Sequence, residues 1–283
     1  MNKLEKAFDG HKAFIGFLTA GDPSLEDTER YIEIMAKSGC DLIEIGIPFS
    51  DPVAEGEVIQ KATIRALAAG TTTDKIFDMV ERVALKIDIP LVFMTYLNPV
   101  YVYGAEKFFA RCEKAGISGI IVPDMPYEEK GELAKPARAH GVKIISLIAP
   151  TSEGRVGMIA RDAEGFIYLV SSMGVTGVRS EITTNVKAIT DTIRKYTDVP
   201  VAVGFGIATP DQAEDMAGAS DGAIVGSAIV KIIEEHGRIH PLHERRRGKS
   251  RREISNIKRA VQGGILPQLF FLFPISLYIS IYK

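Results

Sequence analysis

IEIGIPFSDPVAEGEVIQ, residues 43–60, begins inside a short apolar run (LIEIGI, 42–47) of the kind that forms a buried parallel strand. One acid, Glu44, interrupts the run between Ile43 and Ile45. A carboxylate at such a position is costly unless it is paired or put to use. Eleven residues further on, past a loop bearing Pro48, Ser50, Pro52 and Gly56, stands a second acid, Glu55. One acid in apolar surroundings and one in a polar loop can keep one carboxyl protonated and the other ionised at the same pH, as a general acid and base pair requires. The residues alone also admit a plainer account. Glu44 would pair with a Lys or Arg, Asp51 and Pro52 would supply turn chemistry, and Glu55 and Glu57 would be solvated.

Working outward, the same kind of run recurs along the chain. AFIGFLT (13–19), LIEIGI (42–47), PLVFMT (90–95), GIIVP (119–123), KIISLI (143–148), GFIYLV (165–170), PVAVGF (200–205) and GAIVG (222–226) make eight candidate strands. Longer helical patterns separate them, with a leading helix over 3–8 and room for an extra helix between the second and third strands (58–69, then 73–86). Ser24 with Asp27 reads as a capping box, and Thr209, Pro210 and Gln212 supply a cap, a first-position proline and its partner. Eight strand–helix repeats predict an α/β fold closed as a (β/α)8 TIM barrel, which typically takes ~250 residues. A doubly wound open sheet is the alternative, though it usually stops at about five to seven strands. Barrel chemistry lies at the C-terminal ends of the strands, so Glu44 and the loop carrying Glu55 are expected to face the mouth.

Three glycine-bearing segments follow the last three strands: GVTG (174–177), GFGIATP (204–210) and GSAIV (226–230). Glycine lets backbone N–H groups approach an anion, and a helix opening at Ser227 would aim its positive end at the same place. No Lys or Arg falls within the last two segments, and no strand is followed by GxxxxGK[ST]. The pattern therefore favours a small phosphomonoester over a nucleotide.

Among the 283 residues are two cysteines, Cys40 and Cys112, which fit neither a disulfide framework nor a CxxC metal motif. A reducing cytoplasm with both thiols as packing residues is the expectation. The opening MNKLEKAF does not read as a signal peptide. The five histidines, His11, His140, His236, His240 and His243, form no persuasive metal set. The net charge of −2 hides an asymmetry: ten Lys or Arg against two acids give residues 238–283 a charge of +8, leaving −10 for residues 1–237. An acidic body excludes nucleic acid as the main partner.

The opening stretch closely resembles the signature of the tryptophan synthase alpha subunit family, matched here by Glu44, Gly46, Phe49, Ser50, Asp51, Pro52, Ala54, Glu55 and Gly56. LTAGDP (18–23), MTYLNP (94–99), PDMP (123–126), YLVSSMGVTG, VGFGI and GSAIVK follow in the family's order, so that the likeness covers about residues 14–237. It implies a (β/α)8 lyase that cleaves indole-3-glycerol phosphate to indole and glyceraldehyde 3-phosphate and passes indole to a beta subunit in an alpha2-beta2 assembly. By the same resemblance, Glu44 would protonate the indole at C3, and Glu55 would hold or deprotonate the indole N–H. Tyr168 would stand near the catalytic acid, unless it is an ordinary core aromatic. Phe17, Met94 and Ile121 would line the indole pocket, while Thr176, Gly177, Gly206, Gly226 and Ser227 would contact the phosphate. No metal or organic cofactor is implied for this chain, pyridoxal phosphate belonging to the beta subunit. An impaired barrel that still activates a beta subunit, and a stand-alone indole-releasing lyase, remain open alternatives.

The sequence departs from the family pattern at three places. Glu55 replaces a common Asp, Glu57 stands where proline is common, and beyond Gly237 the likeness stops. The chain is expected to divide into a catalytic barrel (1–237) and an atypical tail (238–283), basic and then apolar, that is frameshifted or disordered. The run ILPQLFFLFPISLYISIY (265–282) has the length of a short membrane span, but Pro267 and Pro274 interrupt it and membrane attachment is not expected. Ile254, Ile257 and Val261 recur at helical spacing, so that 250–262 could partly replace a lost eighth helix.

Overall fold

The computed structural model describes residues 3–150, 153–171, 179–204 and 206–236. They contain eight parallel strands: β1 (Ala13–Thr19), β2 (Leu42–Gly46), β3 (Leu91–Met94), β4 (Ile117–Ile121), β5 in two halves (Lys143–Ile144 and Ser146–Ile148), β6 (Ile167–Val170), β7 (Val201–Gly204) and β8 (Gly222–Val225). The first half of β5 pairs with β4 and the second half with β6, while β8 pairs with β1, so the sheet closes on itself. Closure is that of a (β/α)8 barrel and rules out the open, doubly wound alternative. The break in β5 is bridged by Ile145, whose N–H donates to the Ile120 carbonyl at 2.9 Å.

The helices are α1 (Lys3–Lys6), α2 (Leu25–Lys37), α3 (Glu57–Ala68), α4 (Thr73–Val83), α5 (Leu97–Tyr103), α6 (Ala105–Ala115), α7 (Gly131–Ala139), α8 (Glu153–Arg161), α9 (Arg179–Arg194), α10 (Pro210–Gly218) and α11 (Ser227–His236). The leading helix is shorter than expected, and α5 is an additional helix between β3 and α6 that the sequence reading does not anticipate. At α2 the expected capping box forms only in part: Ser24 Oγ accepts the Asp27 N–H at 3.0 Å, while the Asp27 carboxylate accepts from the Ser24 hydroxyl at 2.9 Å. The box at α10 forms as read. At α10 the Thr209 and Gln212 side chains each accept the other's backbone N–H, at 3.3 and 3.1 Å.

Strand alternation sorts the apolar residues into two layers. Phe14, Leu18, Ile43 and Ile45 point outward and are buried under the helices. Ala13, Ile15, Leu42, Val92, Ile121 and Ile224 belong to a second cluster that fills the barrel, with Leu4 and Ala7 from the leading segment packed against it. By its period Glu44 shares the inward face with Leu42 and Gly46, so the carboxyl enters the barrel. Cys40 and Cys112 are buried and not joined in a disulfide, as expected of packing residues. None of the described helices is long and apolar enough to cross a membrane. The tail, with its apolar run, lies outside the described residues.

Candidate active site at the mouth of the barrel

Glu44 stands opposite Phe17 of β1 and Val92 of β3 in the parallel ladder. Its relative exposure is 0%, and among the described residues neither carboxylate oxygen has a hydrogen-bond partner. The plainer account of Glu44 as one half of an ion pair is thus overturned. Loss of water without a compensating cation raises its pKa from 4.5 to about 8, so the group is a neutral acid at pH 7. It is positioned to give a proton away.

Tyr168 on β6 belongs to the same interior cluster. A Cβ at Gly204 would lie 2.2 Å from its hydroxyl oxygen, so the end of β7 must be glycine for this ring to fit. Burial first, and the nearby Glu44 carboxyl second, push the phenol far above its ordinary range. Tyr168 is therefore a neutral neighbour of the acid. Phe17 occupies the room left by two more glycines: a Cβ at Gly46 would meet its ring at 2.7 Å, and one at Gly226 would touch it at 3.4 Å. Met94 stands opposite Gly46 on one side and Ile121 on the other. Phe17, Met94 and Ile121 thus form an apolar wall continuous with the position of Glu44.

The second acid is held differently. Glu55, half-buried in the loop after β2, has its pKa raised by burial and is partly brought back by a hydrogen bond from the Tyr96 hydroxyl. That same hydroxyl accepts the Ala54 N–H at 3.1 Å, and the Tyr96 ring packs against Phe49 at a 37° tilt with centroids 5.4 Å apart. Gln60 Nε2 donates to the Glu55 carbonyl at 2.8 Å, closing the loop onto α3. Tyr96, the residue that holds this loop, is a candidate the sequence reading did not single out, although it lies in the quoted MTYLNP segment directly after β3. Glu57, by contrast, is solvated and pairs with Lys61 at 2.6 Å, as the plainer reading has it.

Gly206, exposed and with φ +77°, turns the chain after β7 where an L side chain would be strained. Gly226 follows β8 and Ser227 opens α11, whose first backbone N–H groups have no partner within the helix. Because Phe17 lies 3.4 Å from where a Cβ at Gly226 would stand, this helix end adjoins the apolar wall. Thr176 and Gly177 lie outside the described residues. Among the described residues no group of His, Cys, Asp and Glu is placed to hold a metal ion.

The structure brings together, at one end of the barrel, a neutral buried acid, a second carboxyl of different environment, an apolar wall and a helix N-terminus. Comparison with known proteins points the same way. The family model for the tryptophan synthase alpha chain matches residues 4–261, so the likeness extends beyond Gly237, where the sequence reading ended it. The chain is 49% identical over 233 residues to the tryptophan synthase alpha chain of Lacticaseibacillus casei, covering 82% of this chain and 88% of that one. With the alpha chain of Geobacter sulfurreducens it shares 49% over 231 residues, covering 81% and 88%. Among solved structures, tryptophan synthase subunit alpha of Legionella pneumophila superposes with a TM-score of 0.82 at 34% identity, covering 92% of this chain and 98% of that one. An aminoacrylate-bound form of tryptophan synthase from M. tuberculosis superposes with a TM-score of 0.80 at 28% identity, covering 92% and 100%.

Proposed function

The chain belongs to the tryptophan synthase alpha chain family, and from that premise we propose how its residues carry out the family's reaction, the cleavage of indole-3-glycerol phosphate to indole and glyceraldehyde 3-phosphate. The observation that carries the proposal is Glu44, buried inside the barrel opposite Phe17 and without a hydrogen-bond partner among the described residues. With the indole against Phe17, Met94 and Ile121, the Glu44 carboxyl protonates ring carbon C3. Electron density for this step comes from the ring nitrogen, whose N–H is held by the Glu55 carboxylate. The bond from C3 to the glycerol chain then breaks, its electron pair returning to the ring to restore aromaticity. The adjacent hydroxyl becomes the aldehyde, and its proton passes to the carboxylate just formed at Glu44. An apolar pocket disfavours that carboxylate, so re-protonation is downhill and the acid is reset. Tyr168 keeps the acid's surroundings dry and uncharged.

Gly206, Gly226 and Ser227, with Thr176 and Gly177, are proposed to receive the phosphate through backbone N–H groups and the positive end of α11. The steps are proton transfers between groups of this chain and the substrate, and cleavage of the bond from C3 to the glycerol chain. No metal or organic cofactor enters them, and pyridoxal phosphate is assigned to the beta subunit alone.

An alpha2-beta2 assembly with a beta subunit is part of the proposal. Exposed apolar residues on the loop after β2 and on α5, which follows β3, support it: Val53, Tyr101 and Val102 are 77%, 78% and 77% exposed. The loops after β4 and β6 would complete the docking surface. The cytoplasm is the compartment this reading implies. The test is to incubate the purified chain with indole-3-glycerol phosphate and assay both products, with and without a beta subunit. Equal amounts of indole and glyceraldehyde 3-phosphate, formed faster with the partner, are expected. Partner activation without product would point to an impaired barrel, and equal rates with and without the partner to a stand-alone lyase.

A further inference from the structure

Two helices descend side by side from the mouth. One is α3, whose first residue follows Glu55 by two positions, and the other is α11, which begins next to Gly226. Near the mouth Phe17, Ala62 and Val230 form a small buried cluster between them. Farther along, Arg65 of α3 reaches in two directions. Its Nε and Nη2 donate to the two carboxylate oxygens of Asp22 at 2.7 and 2.8 Å, and its Nη1 donates to Glu234 Oε1 of α11 at 2.9 Å. Asp22 lies in the loop after β1 and is 3% exposed. The planar guanidinium fork makes both contacts at once, which a lysine ammonium cannot do with the same geometry.

We infer that Arg65 is a positioning residue: anchored on Asp22, it ties α3 to α11 through Glu234 and so fixes the span between Glu55 and the phosphate seat at Gly226 and Ser227. The inference rests on the proposed function, in which one substrate must reach both places, its indole at one and its phosphate at the other. A ligand with two ends gains from seating the second only if both seats stay at the right separation. Residues that bind either end separately do not sense that separation. The predicted signature is therefore specific: loss of the tie weakens ligands that span the site and leaves each half-ligand nearly untouched.

Glu234→Ala cuts the link to α11 while leaving the buried Asp22–Arg65 pair in place, and the Glu234 side chain is 38% exposed, so folding is preserved. The double variant Asp22→Asn/Arg65→Gln removes the tie without leaving a buried charge. The experiment measures, by calorimetry on the full chain, the affinity of glycerol 3-phosphate, of indole, and of an unreactive indole carrying a three-carbon phosphate chain. In both variants the spanning ligand should bind about tenfold more weakly, with each half-ligand within about twofold of the unaltered chain. An unchanged affinity for the spanning ligand, or half-ligands weakened as much as the spanning one, would overturn the inference. An unaltered chain that binds none of the three would overturn the underlying function, and the inference with it. That result is distinct from the others because it is seen before any substitution is made.

Discussion

Replacing Glu44 by Gln should abolish activity and stabilise the fold, and both effects follow from the same burial. The native carboxyl is protonated up to about pH 8, whereas in the unfolded chain it ionises near 4.5. Between those values the folded state holds the extra proton, so stability falls as pH rises through the window and levels off above about 8. At ~1.4 kcal/mol per pH unit, a displacement from 4.5 to about 8 amounts to about 5 kcal/mol of destabilisation at high pH, an upper figure because the barrel mouth can relax around a charge. Glutamine has nearly the same shape and never ionises. Denaturant unfolding of Glu44→Gln and the unaltered chain at pH 5 and pH 8.5 should show a gain of no more than about 1 kcal/mol at the lower pH, growing to several kcal/mol at the higher. Indole release should fall by at least about 10²-fold, the usual range for removing a general acid. Equal stability changes at the two pH values would refute the picture of a buried neutral acid. Retained activity would refute its catalytic role.

Tyr96→Phe removes a hydrogen bond to the Glu55 carboxylate, a contact worth ~1.5–3 kcal/mol when one partner is charged, so kcat/KM should drop about tenfold or more. Because that bond lowers the Glu55 pKa, its loss should move the acid limb of the pH–rate profile to higher pH. Gly204→Ala drives a methyl to 2.2 Å from the Tyr168 hydroxyl, and overpacking of this kind should cost about 1–3 kcal/mol in thermal unfolding and lower kcat through displacement of the ring. A chain ending at residue 262, just past the family match, should retain indole release, whereas one ending at 237 should lose solubility or activity; expression and assay of both decide whether 238–262 belongs functionally to the barrel.

The strands were legible because runs of four to seven β-branched and apolar residues between turn signals leave few alternatives. Their ends were less so: the interruption of β5 at Ile145 has no counterpart in KIISLI, since it reflects the two different neighbours that the strand must pair with to close the barrel. Helix α5 was invisible because LNPVYVY has weak helical character and its start is capped from afar, the Asp124 carboxylate accepting the Leu97 N–H at 2.9 Å. The two acids were readable as candidates from their contrasting surroundings. Whether Glu44 was paired depended on every cation the fold might bring near, and only assembly of the barrel decided that none of the described residues partners it. Tyr96 likewise gains its meaning from a contact with Ala54, 42 positions away. For the proposed phosphate seat the glycines and the opening of α11 were plain in the sequence, whereas the approach of Phe17 to Gly226, which brings that seat beside the apolar wall, arises only when β8 closes on β1.

The most direct test of the central claim, that Glu44 acts as a protonated acid within the barrel, is the pH dependence of kcat/KM for indole release between pH 5 and pH 10. The rate is predicted to fall on the alkaline side with an apparent pKa near 8, as the buried carboxyl loses its proton. A profile that stays flat through pH 9.5 would contradict it.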